Sequence, residues 1–90
     1  MTVYTLTAGT RLEALDEGWF VFSALSGDTS QLNLEAAAVL ELLADQPQDA
    51  ASIAKTLAAD MQMPAPEMAT LLQDLWPQLL NLGLISPLGS

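Results

Sequence analysis

The fold is decided by residues 16–34, which read DEGWFVFSALSGDTSQLNL. The run at 19–22 is dense in aromatic and β-branched residues, as strands prefer. Turn residues flank it on both sides, and each turn contains a glycine, Gly18 or Gly27, that can adopt a positive φ. The stretch therefore predicts a central strand between two turns, followed by a more polar strand over 29–34.

The neighbouring segments complete an antiparallel meander. Residues 10–15 (TRLEAL) alternate weakly between polar and apolar side chains, and residues 29–34 (TSQLNL) are polar enough for an exposed sheet edge. The central run is apolar on both faces, which predicts that helices cover one face and that the other face is only partly covered. A further short edge strand is expected over 3–6, and a short terminal strand at 84–85.

From Leu34 onward the spacing of apolar residues changes from that of a strand to that of a helix. Helices are predicted over about 34–45, 49–60 and 66–82. Asn33 is a fitting N-cap for the first helix, since its side-chain oxygen can accept from an unpaired backbone N–H. The sequence thus predicts an α+β, winged-helix-like fold, with a three-stranded antiparallel sheet followed by a three-helix bundle in one domain over 1–90.

The helix termini carry further signals. Asp49 is a candidate N-cap of the second helix, Pro66 suits the first position of the third, and Gly83 marks its end. Pro77 falls inside the third helix, where it removes a backbone donor and costs about 3 kcal/mol. We expect one continuous helix with a bend near 73–76.

Net charge restricts the partners of the chain. Arg11 and Lys55 stand against eleven acidic residues, which gives a formal net charge of −9. Binding to nucleic acids depends largely on cations that neutralise phosphates, and anionic membrane surfaces select cations as well. The composition therefore predicts no nucleic-acid partner and no membrane partner. The absence of a signal-like segment and of cysteine favours a cytoplasmic protein.

The residues that most catalytic and metal sites need are missing. The sequence contains no histidine and no cysteine, which excludes Ser-His and Cys-His pairs and the usual zinc ligands. The acids at 16, 17 and 28 fall in turns, where they are common because they bond to the local backbone. We predict that the chain is not an enzyme and that it has no catalytic residue, metal or cofactor.

Two features exceed what a small core needs. In the third helix, Trp76 and Leu80 widen the apolar stripe, either to complete the core or to line a groove beside the sheet. The polar strand at 29–34 is either an ordinary protected edge or a site at which an incoming peptide adds a strand. Together the two features fit a peptide-recognition groove.

Residues 22–33 (FSALSGDTSQLN), continuing into 37–43 (AAVLELL), resemble the PqqD-type peptide chaperones, especially the subgroup encoded beside relatives of HPr kinase. The downstream pattern of Ala54, Leu57, Leu71, Leu75 and Leu79, ending at 82–85 (LGLI), also fits. The resemblance covers about 12–87. Ser30 stands where this subgroup often has histidine.

The resemblance implies a RiPP recognition element, a non-catalytic domain that binds the leader of a precursor peptide between its third strand and third helix. The domain presents that peptide to a modifying enzyme, and an ATP-grasp or HPr-kinase-related protein would be a fitting partner. The residues that correspond to this cleft are Thr29, Gln31, Leu32 and Asn33 on the strand and Leu72, Leu75, Trp76 and Leu79 on the helix.

Two other functions remain open at the level of sequence. Apolar surfaces are also how small domains pair, so a structural or dimerisation subunit, including a homodimer, is the main alternative. A DNA-binding winged-helix regulator would suit the order of the helices, but the net charge opposes it.

Overall fold

A computed structural model describes residues 2–23 and 27–88 of the chain. Six strands and three helices follow one another in these residues, and the strands pair into two antiparallel sheets. The elements are β1 (Val3–Leu6), β2 (Arg11–Leu15), β3 (Gly18–Phe22), β4 (Thr29–Leu32), α1 (Leu34–Asp45), β5 (Gln48–Asp49), α2 (Ala50–Asp60), α3 (Ala65–Asn81) and β6 (Ile85–Pro87). The predicted α+β class, with antiparallel strands and three helices, is confirmed.

The predicted meander is the sheet β2-β3-β4, with β3 in the centre. Gly18 has φ +135°, and a Cβ built there would lie 3.2 Å from the side-chain nitrogen of Gln31. Gly27 has φ +75°, the left-handed conformation predicted for the second turn. The sequence predicts this turn over 26–28, and residue 26 lies outside the described residues.

The second sheet has the order β5-β1-β6, and it corrects one expectation from the sequence. Residues 3–6 were expected as a short edge strand, but β1 is the central strand of this sheet. It pairs antiparallel with β6, as Leu6 with Ile85, and with β5, as Val3 with Asp49. The hydroxyl groups of Thr7 and Ser86 lie 2.7 Å apart and add a polar contact at the same place.

The helices begin and end close to the predicted residues because their caps are strong local signals. Asn33 caps α1, since its Oδ1 accepts from the N–H of Ala36 at 2.8 Å, and Asp49 caps α2 through the N–H of Ser52 at 3.3 Å. Pro66 is the second residue of α3, and the helix continues through Pro77 without interruption. The bend expected at 73–76 remains a prediction.

Two helices end in the same hydrogen-bonded motif. After α3, Gly83 (φ +74°) donates to the carbonyl of Leu80, and Leu84 donates to that of Leu79. After α2, Gln62 takes the position of the glycine with φ +53°, and it donates to the carbonyl of Ala59 at 3.4 Å. Both endings are Schellman motifs, and the one at Gln62 places a side chain where glycine is normally preferred.

One core lies between the two sheets and the helices. Its least exposed large side chains come from β3, all three helices and the segment after α3. They are Val21, Val39, Leu40, Leu43, Ile53, Leu57, Met68, Leu79 and Leu84. α1 contributes five buried residues in twelve, which confirms that this nearly all-apolar helix is buried. No helix in the described ranges has the length and apolarity needed to cross a membrane.

Candidate functional site

The outer edge of β4 is open to an additional strand. β4 is the last strand of the sheet β2-β3-β4 as described. The N–H of Ser23 donates to the carbonyl of Asp28 at 2.9 Å, so this pair bonds across the ladder. Because bonded and non-bonded pairs alternate in an antiparallel ladder, Ser30 and Leu32 direct their backbone groups toward β3. Thr29 and Gln31 therefore direct their N–H and C=O groups away from the sheet.

A cleft runs beside this edge, between the sheet and the C-terminal end of α3. Its volume is about 230 Å³. It is lined by Val21, Ser23, Asp28, Ser30, Asn81, Leu82 and Leu84. The sheet side is mostly polar, whereas Leu82, which is 45% exposed, and Leu84 make the opposite wall apolar. A peptide strand along β4 would place alternate side chains at this cleft, because successive side chains of a strand point to opposite faces.

The four strand residues predicted for the cleft have different positions. Thr29 and Gln31 are exposed on the face of the sheet turned away from the helices, and the side-chain amide of Gln31 donates to the carbonyl of Glu17 at 3.2 Å. Leu32 is half-buried and packs against the core. Asn33 is occupied as the cap of α1. Of these residues, only Thr29 and Gln31 offer groups to a strand outside the sheet, and they offer backbone groups.

The four predicted helix residues are part of the core. Leu72, Leu75, Trp76 and Leu79 are all at most 8% exposed. The three-and-four spacing that singled them out is the spacing of the helix face that packs inward, so it predicts burial more strongly than binding. The α3 wall of the cleft is formed instead by Asn81 and Leu82, at the helix terminus. The sequence analysis did not select these two residues. The available signal was Gly83, which marks the end of α3 directly after them.

Trp76 completes the core, which was one of its two interpretations from the sequence. Its ring meets that of Tyr4 edge to face, with centroids 5.2 Å apart and planes at 77°. Its Nε1–H is buried and has no hydrogen-bond partner among the described residues. Leu80, the other residue of the proposed second stripe, is 36% exposed and borders solvent. Trp76 also lies beside Leu72 and Gln73 in a depression of about 310 Å³ next to α2, and a groove lined by both Trp76 and Leu80 stays a prediction.

The sheet β2-β3-β4 also presents an apolar surface away from the helices, here called the outer face. Alternation along the strands and exposure of the side chains assign seven residues to it. They are Arg11, Glu13, Leu15, Phe20, Phe22, Thr29 and Gln31. A depression of about 360 Å³ lies on this face. The prediction that β3 is only partly covered on its second face agrees with this finding.

The electrostatic features of the described residues are mild. A hydrogen bond from the Ser52 side chain is the main cause that lowers the pKa of Asp49 below its usual value, and this effect belongs to the cap of α2. In the described ranges, no three side chains of the His, Cys, Asp and Glu types are grouped so that they could hold a metal ion. What the site offers is therefore hydrogen bonding from the backbone and an apolar wall.

The comparisons with known proteins support the fold. No protein-family model matches the sequence, and no curated protein matches it. A solved structure does match: the solution NMR structure of the PqqD truncation of Methylobacterium extorquens PqqCD, a functional and stand-alone RiPP recognition element. The TM-score is 0.76 over 93% of this chain and 88% of that chain, at 20% sequence identity. The chain thus has the fold of that recognition element.

Proposed function

We propose that this chain is a non-catalytic peptide-binding adaptor of the PqqD-like, RiPP-recognition type. The observation that carries the proposal is the open edge of β4 beside the cleft at the end of α3. The PqqD truncation, whose fold this chain shares, is described as a RiPP recognition element, and the function proposed here is of the same kind. The client would be the leader of a precursor peptide, which the adaptor presents to a modifying enzyme.

Binding by strand addition uses two kinds of contact. The backbone groups of Thr29 and Gln31 would bond to a strand about 4.8 Å beyond β4, whatever its sequence. Specificity would come from the alternate side chains of the peptide, which reach the cleft near Ser30, Asn81 and Leu82. Ser30 is also the position at which the resembling subgroup often has histidine. The serine would therefore change what this chain selects while the backbone contacts stay the same.

The partner enzyme and the location of the chain follow from the same proposal. An ATP-grasp or HPr-kinase-related protein would receive the peptide, in the cytoplasm, where precursor peptides are made. A DNA-binding role has less support, since two cations face eleven acidic residues.

The experiment separates backbone recognition from side-chain recognition at one position. A library of random 15-residue peptides is selected by mRNA display on the immobilised chain, and the best peptide is titrated by calorimetry. Gln31→Pro removes the outward N–H and leaves the ladder to β3 intact, since proline is tolerated on edge strands. Gln31→Ala is the matched control, because it loses the same side chain and its bond to Glu17 but keeps the N–H.

We expect Gln31→Pro to weaken binding by at least about tenfold relative to Gln31→Ala, which corresponds to about 1.4 kcal/mol. Circular dichroism checks that both variants keep the fold. Equal affinity of two folded variants would refute strand addition at β4. Amide shifts that leave 29–31 and 81–84 unchanged on peptide binding would place the peptide elsewhere.

A further inference from the structure

Two rows of side chains cross the outer face, and they are complementary to each other. The strand register gives the residues of each row. One row is Arg11, Phe22 and Thr29, and the next is Glu13, Phe20 and Gln31. Each row therefore runs from a charge through an aromatic ring to a neutral polar group, and the two charges are opposite. Rows two residues apart on one face of a sheet are separated by about 7 Å.

We propose that the outer face is the interface between two copies of this chain. The two-fold axis would lie in the plane of the interface, perpendicular to the strands and midway between the two rows. Each row of one copy would then lie opposite the other row of the second copy. Arg11 would then meet Glu13 of the partner subunit, and Phe22 would meet Phe20 of the partner subunit. Sheets that pack face to face are about 10 Å apart, a distance that interleaved phenylalanine side chains fill.

The outer face exposes large apolar side chains to solvent. The solvent side of an antiparallel sheet is normally polar. Here Phe22 is 39% exposed and Leu15 is 54% exposed, and both border the depression of about 360 Å³. Burial of these side chains against a second sheet would remove apolar surface from water, which is the main favourable term in association.

Charge favours a second copy over another partner. One of the two cations of the chain lies on this face, and the Arg11 guanidinium is 3.6 Å from the Glu13 carboxylate. The face is therefore neutral, although the whole chain carries −9. A basic surface would be opposed by Arg11 and an acidic one by Glu13. A surface with one charge of each sign, placed in adjacent rows, matches its own two-fold copy.

The size of the face sets the strength of the dimer. Seven outward side chains are well below the roughly 20–30 residues a side of a standard interface, so the association is weak and depends on concentration. The net charges of the two copies repel each other, and added salt screens this repulsion. We therefore expect salt to strengthen the dimer. The proposal does not depend on peptide binding: the peptide would bond to the backbone groups of Thr29 and Gln31 at the sheet edge, whereas the dimer uses the side chains on the outer face.

Sedimentation equilibrium of the full chain tests the proposal between about 20 μM and about 1 mM, at about 0.15 M and about 0.5 M NaCl. The average mass should rise toward that of a dimer, and more so at the higher salt. Glu13→Arg alone and Arg11→Glu alone should each weaken self-association by at least about tenfold. An equimolar mixture of the two variants should form heterodimers, since each reversed charge then meets an opposite one.

The apolar part is tested by Phe22→Ser, with Leu88→Ser as the matched control. Leu88 is 51% exposed and directly follows β6, a strand of the other sheet. We expect Phe22→Ser to abolish the dimer and Leu88→Ser to leave it unchanged. If Phe22→Ser unfolds, the charge reversals still decide, because they alter side chains that are 72% and 58% exposed. A monomer under all conditions, a dimer that survives the reversals, or a mixture without heterodimers would overturn the proposal.

Discussion

Replacement of Trp76 by alanine tests whether this side chain supports the core or a binding groove. Trp76 is 8% exposed and packs edge to face on Tyr4. Truncation of a buried tryptophan to alanine typically costs about 3–5 kcal/mol. Part of that cost is offset, because the Nε1–H of Trp76 is buried without a partner among the described residues. Because Trp76 keeps 8% of its surface exposed, we take the low end of the penalty for an unsatisfied buried group, about 1 kcal/mol, as the part returned.

We therefore expect Trp76→Ala to lower the free energy of unfolding by about 2–4 kcal/mol, a large share of the roughly 5–15 kcal/mol of a typical domain. Urea denaturation followed by circular dichroism at 222 nm measures the loss. Fluorescence would be ambiguous, because Trp19 also contributes to the signal. Trp76→Phe is the matched control: it keeps an aromatic ring against Tyr4 and removes the unpaired N–H. It should cost clearly less than Trp76→Ala.

A small effect would contradict the core assignment. If the free energy of unfolding of Trp76→Ala lies within about 0.5 kcal/mol of the wild-type value, the range of an ordinary surface substitution, the assignment is wrong. A folded Trp76→Ala variant that loses binding of the selected peptide would instead assign Trp76 to the peptide groove.

Four further predictions concern local structure and charge. Gly27→Val should destabilise by about 1–2 kcal/mol in thermal melts, because φ is +75° there, although among the described residues no atom beyond the chain neighbours lies within 4 Å of the added Cβ; coincident melts would argue against it. Gln62→Gly should stabilise by up to about 1 kcal/mol in urea, since glycine adopts the left-handed conformation at φ +53° without strain; a loss of stability would refute this. The pKa of Asp49 is lowered in the folded state, so the stability that its carboxylate contributes is present above its unfolded pKa and is lost as pH falls through the folded pKa. Asp49→Asn should therefore flatten the pH dependence of the melting temperature below about pH 4. An unchanged pH profile would contradict this. Duplex DNA should show no micromolar binding at about 0.15 M salt by anisotropy, since the chain has two cations for polyanion contacts; a salt-sensitive complex would refute it.

The parts of the fold that sequence could predict are those with local causes. Asn33 and Asp49 determine where α1 and α2 begin through hydrogen bonds to residues three positions away. Gly27 and Gly83 mark turns through their own backbone conformation. These signals need no knowledge of the rest of the chain, and the corresponding boundaries agree to within a residue or so.

The second sheet could not be predicted in the same way, because its causes are distant in sequence. β5 consists of two residues, Gln48 and Asp49, which form a strand only because β1 lies beside them. The central place of β1 depends on β6, which is about eighty residues away along the chain. Sequence analysis assigned short strands at both ends but had no signal that they pair with each other.

The candidate site was predicted in part for a related reason. A polar edge strand is visible in the sequence, and the open edge of β4 is where it was expected. The residues on α3 were chosen by their apolar spacing, which marks the buried face. Asn81 and Leu82 line the cleft because the helix terminus lies next to β4. That proximity is a property of the tertiary packing, and no local pattern carries it.

The pairing of β1 with β6 has a consequence for how this domain can be joined to other proteins. The N–H of Leu88 donates to the carbonyl of Val3 at 2.7 Å, so the segments that precede β1 and follow β6 lie side by side. A domain with adjacent ends can be inserted into a surface loop of a larger enzyme without stretching that loop. The open edge of β4 belongs to the other sheet, so such an insertion would leave it available to a peptide. If β4 binds a peptide as proposed, a fusion of this kind would hold that peptide at a fixed distance from the catalytic centre of the enzyme, and a high effective concentration would then replace part of the binding affinity.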